Sequence, residues 1–136
     1  MINKLIALFF VLLSQNVFAY NFPVEISEYM DNGKVDAYIN KSDVNDESKW
    51  SPFEASVPLS VNDAINKVKD LLASKKTLTE SSIIAIELKQ IPHHKNYWHY
   101  LLKVESTIGH KRQNHFYVVL MSGKVIAAFK EPDSIK

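Results

Sequence analysis

An α+β fold, with one amphipathic helix lying on a four-stranded antiparallel meander, is what this sequence predicts. Two observations carry that expectation. One segment, Ser60–Ser74, repeats its apolar residues at helical spacing. The runs that follow it, about 82–91, 97–106, 115–121 and 124–130, alternate apolar and polar residues between turn signals.

The chain opens with a leader. Met1–Ala19 carries Lys4, an unbroken apolar run from Leu5 to Leu13, a polar break at Ser14-Gln15-Asn16 and a small residue at Ala19. This is the layout of a secretory signal peptide cleaved after Ala19, and the run is about half the ~20 residues a bilayer span needs. The mature protein is therefore expected in the periplasm or outside the cell, without a membrane anchor. The sequence has no cysteine, so its fold must rest on core packing alone. Without Lys4 the 16 basic residues become 15, matching the 15 acidic ones. That balance, with no basic block, argues against nucleic acid or an anionic membrane as partner.

Residues 20–56 form a polar N-terminal segment. Asp31-Asn32-Gly33 signals a turn, and Val35, Ala37 and Ile39 alternate against Asp36, Tyr38 and Asn40. The pattern predicts a short strand at 34–40, placed as an additional N-terminal edge strand. Trp50, Pro52 and Phe53 offer an aromatic anchor for this segment.

The α+β domain proper is assigned to 57–136. In the helix at 60–74, Ser60 is the N-cap and Asp63 the residue that reaches back to it. Val61, Ala64, Ile65, Val68, Leu71 and Leu72 then make one stripe. In the meander, a two-residue Ser122-Gly123 turn would pair Met121 with Lys124. That pairing, with turns near Gly109-His110 and His93–Lys95, directs Ile86, Leu102, Val118 and Val125 toward the helix. It leaves Leu101, Tyr117, Val119, Met121 and Ile126 as an apolar patch on the other face. Such a patch is seldom left bare. Either the N-terminal segment covers it, or it is a partner surface.

Other chemistry is sparse. The histidines at 93, 94, 99, 110 and 115 lie in different loops and strand ends, without zinc-site spacing, so they read as surface groups. In Tyr97-Trp98-His99-Tyr100, parity directs Trp98 and Tyr100 inward, leaving Tyr97 and His99 outward as residues able to touch a ligand. No nucleophile elbow, glycine-rich phosphate loop or plausible acid–base pair occurs, and no cofactor or metal is implied. A non-enzyme is expected.

Pro58-Leu59-Ser60 with Ala64, then Trp98-x-Tyr100, then Val119–Ile126 around Gly123, resemble small exported bacterial domains of the PepSY type. The resemblance spans Val57–Pro132. It implies a cystatin-like α+β fold and a non-catalytic role, in some cases regulating peptidases of the cell envelope. It transfers no site residues. The hairpin Met121–Lys124 lacks the Gln-Val-x-x-Gly wedge of cystatin inhibitors, and there is no Pro-Trp loop. The sequence thus predicts an exported binding module for another envelope or secreted protein, with Tyr97, His99, Leu101, Tyr117, Val119, Met121 and Ile126 as binding residues. The alternative is a small-ligand carrier, its pocket lined by Trp98, Tyr100 and Leu72 between helix and sheet.

Overall fold

The computed structural model describes residues 21–31, 33–44 and 48–130. The leader expected at 1–19 lies outside them. The elements run β1 (Val24–Met30), β2 (Gly33–Ile39), α1 (Val61–Ser74), β3 (Ser81–Gln90), β4 (Trp98–Ile108), β5 (Lys111–Leu120), β6 (Val125–Ala127) and β7 (Phe129–Lys130). They form two antiparallel sheets, ordered β3-β4-β5-β6 and β1-β2-β7.

The architecture has three layers. α1 lies on one face of the four-stranded sheet, and the three-stranded sheet lies on the other. Ala64, Val68 and Leu72 of the helix pack with Tyr100, Leu102, Val104, Tyr117, Val119 and Met121. On the opposite face, Ile26, Val35, Ala37 and Ile39 pack with Leu101, Phe116, Val118 and Leu120. Two thin cores against one central sheet replace a single deep one, which is how a chain without disulfides buries both faces of that sheet.

The helix begins as its sequence requires. The Asp63 amide donates to Ser60 Oγ at 3.1 Å, satisfying one of the amides the first turn leaves open. The segment at 34–40 is indeed extended, but it does not lengthen the meander. Gly33–Ile39 is the central strand of the separate sheet, between β1 and β7. Of the anticipated aromatic anchor, Trp50 packs edge-on against Trp98, with ring centroids 5.3 Å apart. Phe53 is fully exposed.

Strand β5 corrects the expected register. Tyr100 lies opposite Val119 and Leu102 opposite Tyr117, one residue from the anticipated pairing. The cause is the turn. Ile108 pairs with Lys111, leaving a two-residue loop with Gly109 at φ 65°, where a II′-type loop places glycine. The next turn is also one residue from expectation. Gly123 N donates to the Leu120 carbonyl at 2.8 Å and Leu120 N to the Lys124 carbonyl at 2.9 Å. This makes a three-residue loop ending on Gly123 at φ 91°. The two slips cancel at β6, so Val125 faces the helix as anticipated while the whole of β5 is reversed.

Candidate binding edge

The binding residues expected from the sequence do not share a surface. Leu101 is buried against the N-terminal hairpin, and Tyr117, Val119 and Met121 are buried against the helix. Ile126 packs half-buried on the hairpin side. Tyr97 is half-buried and bridges Lys49. His99, expected outward, is 1% exposed because β1 and β2 cover its face of the sheet. Of what the sequence presented as an outer patch, the N-terminal segment covers Leu101 and Ile126, and the helix covers the other three residues.

The helix–sheet interface is also filled. Leu72 and Tyr100 are buried in one cluster with Trp98 packed against it, and the Tyr100 hydroxyl donates to the Leu59 carbonyl at 2.7 Å. The three residues that would line a carrier's pocket belong to one packed cluster.

What stays open is one side of the sandwich. Opposite it the chain passes directly from β6 in one sheet to β7 in the other, joining the layers. At the open side β1 and β3 both end their sheets. β3 is the longer edge, ten residues with an isoleucine-rich alternation suited to a strand. A bulge between Ile83 and Ala85 interrupts its pairing with β4 and leaves Ala85–Gln90 as the regular part.

The two faces of β3 differ in chemistry. Ile86 pairs with Leu102 and Leu88 with Tyr100, so both point to the helix side. α1 crosses β4 and β5, however, and stops short of them. Ile84, Ile86 and Leu88 are 54%, 36% and 39% exposed, three large apolar side chains in a row along an edge that no other strand pairs with among the described residues. On the hairpin side stand Glu87 and Lys89, joined at 2.9 Å. Glu28 of β1 reaches Lys89 at 3.5 Å and Lys103 at 3.2 Å, tying the two sheets together. The Lys89 ammonium holds the Glu87 carboxyl below its ordinary range, and Glu87 in turn raises Lys89. Both side chains remain close to half exposed.

His99 stands behind this seam. Its Nδ1 has no hydrogen-bond partner, and the ring borders a cavity of about 170 Å³ with Glu25, Ser27, Glu28, Lys89 and Gln90. Burial lowers its pKa. Among the described residues no three metal-ligating side chains converge. A second groove, about 510 Å³, lies by the β1–β2 turn, and its cations already face carboxylates. Lys111 and Lys130 act on Asp31, which accepts from the Asn114 amide at 2.6 Å, and Arg112 reaches Glu105 at 3.5 Å.

The sequence carried one signal of the β3 edge, its run of alternating isoleucines. Their exposure depends on where α1 crosses the sheet, which no residue of β3 reports. No protein-family model matches the chain, and no match is found among curated proteins or solved structures.

Proposed function

We propose that this protein is an exported, non-catalytic protein-binding module whose contact surface is the edge of β3, taking an extended protein segment by strand addition. The observation that carries the reading is the row Ile84, Ile86 and Leu88, exposed along an edge with no strand beside it among the described residues. Strand addition uses main-chain hydrogen bonds for affinity and alternate side chains for selection. Here an added strand would meet apolar groups on the helix side and a Glu–Lys pair on the other. The signal-like leader at Met1–Ala19 supports an address in the periplasm or beyond it. The PepSY-type resemblance over Val57–Pro132 supports a regulatory rather than a catalytic role, with an envelope peptidase as one class of partner.

The test is capture from an envelope extract with the full mature chain as bait. Proteins retained specifically by the native chain are expected to be lost with Ile86→Asp and Leu88→Asp. They are expected to remain with Val61→Asp, which alters an exposed apolar residue on the helix. Equal retention by all four baits would reject the β3 edge as the contact surface.

A further inference from the structure

From the charge pattern of the same edge, we infer that its occupant is a second copy of this chain, the two β3 strands pairing antiparallel about Leu88 to make one continuous eight-stranded sheet. This deepens the strand-addition reading and rests on it.

A symmetric antiparallel pair must place some residue of β3 opposite itself, and each choice has different consequences. Centred on Glu87 the pair sets carboxylate against carboxylate, and centred on Lys89 it sets ammonium against ammonium. Like charges directly opposite destabilise a sheet. Centred on Ile86 the outer pairs run into the bulge between Ile83 and Ala85. Centred on Leu88, pairing stays within the regular run Ala85–Gln90. Leu88 meets Leu88, and Glu87 of each copy meets Lys89 of the other.

This register completes a charge pattern that each copy holds only in half. Glu87 and Lys89 are already joined along one strand at 2.9 Å. Across the two-fold axis, each carboxylate gains a second ammonium and each ammonium a second carboxylate. A lysine on an edge strand ordinarily discourages further pairing. Here the glutamate two residues before it turns that deterrent into a selector of register.

The other face agrees. A two-fold axis perpendicular to the sheet keeps both helices on one side, so on that face Leu88 meets Leu88 at the axis and Ile86 lies opposite Gln90 of the other copy. Leu88, one of the apolar side chains that α1 leaves uncovered, is thereby covered by its counterpart. The copies are isologous: the same patch serves both, and the assembly closes at two.

Sedimentation equilibrium at low salt, on the full mature chain, tests this with a charge-swap set. The native chain is expected to dimerise reversibly. Glu87→Lys and Lys89→Glu, each alone, set like charges across the seam and should weaken self-association about tenfold or more. An equimolar mixture of the two variants should recover the native level, since one chain then brings two lysines and the other two glutamates. The double variant carrying both substitutions should also dimerise. Recovery on mixing cannot come from misfolded chains. Leu88→Lys, which puts two ammonium groups at the axis, is a further variant expected to stay monomeric.

A native chain that remains monomeric to about 1 mM, the weak end of measurable affinity, overturns the second copy as occupant. So does a mixture that fails to associate beyond its components. If envelope capture still depends on Ile86 and Leu88 in those cases, strand addition stands and the occupant is another protein's strand. If capture is also indifferent to them, the strand-addition reading falls as well.

Discussion

The Tyr100 hydroxyl donates a 2.7 Å hydrogen bond to the carbonyl of Leu59, forty-one residues earlier in the chain. Leu59 immediately precedes the helix cap Ser60, so this bond ties the start of β4 to the point where α1 begins. The ring itself belongs to the helix-side core. Removing the hydroxyl leaves the packing and strands a carbonyl. Tyr100→Phe is expected to cost about 1 kcal/mol in urea unfolding, the net worth of one such bond. An unchanged midpoint would show that water replaces the hydroxyl at that carbonyl without loss.

His99 gives the fold an acid-sensitive joint. It is buried where the two sheets meet, and its Nδ1 lacks a partner. Burial comes first among the causes that lower its pKa from 6.5, with the like charge of Lys89 acting in the same direction. Glu25 and Glu28 border the same cavity. A histidine whose folded pKa lies below its unfolded one binds its proton more readily when unfolded. Its contribution to stability is complete above the unfolded value and is lost as pH falls from about 6.5 through the folded pKa. His115, half-buried and also lowered by burial, adds a loss of the same sign. Unfolding free energy should therefore be flat above neutrality and decline in this window. His99→Leu should make the decline shallower, and an unaltered slope would assign the effect to other groups.

Gly123 closes the last hairpin at φ 91°, where a side chain is strained whatever the surrounding space. A Cβ there would also stand 3.1 Å from Lys67 Cε. That second conflict is the lesser one, because the lysine end can swing away. Gly123→Ala is expected to destabilise by about 1–2 kcal/mol. Adding Lys67→Ala should restore little of it. Full recovery in the double variant would mean that the lysine, and not the backbone, sets the cost.

The helix was legible because its information is local: a cap residue, a stripe and a length all lie within Ser60–Ser74. The β3–β4 register was legible in part for a related reason, since Ile86 and Leu88 find Leu102 and Tyr100 as their alternation requires, whereas the bulge sets Ile83 in place of Ile84 opposite Val104. β5 was not, and its sequence shows why. Phe116, Tyr117, Val118, Val119, Leu120 and Met121 are apolar without alternation, because helix and hairpin bury both faces of the strand. With nothing polar to mark an outer side, only turn length decided which residue faced which way. One residue at Gly109-His110 reversed the strand. The same double burial hid His99 and Leu101, which read as outer residues as long as the hairpin was taken for an edge.

The reversal of β5 can be measured directly because the chain has no cysteine to interfere. Thr107 lies opposite Arg112, near the exposed end of the β4–β5 pair. Directly opposed residues in an antiparallel pair have Cα atoms about 4.5–5.5 Å apart, within the range a disulfide spans. Thr107→Cys with Arg112→Cys should therefore oxidise readily to an intramolecular bond. Thr107→Cys with Gln113→Cys would suit the register one residue away. In the observed register those two side chains leave opposite faces of the sheet, so this pair should stay reduced under the same mild oxidant. Were the second pair to close faster, Tyr117, Val119 and Met121 would face the hairpin, and Phe116, Val118 and Leu120 the helix.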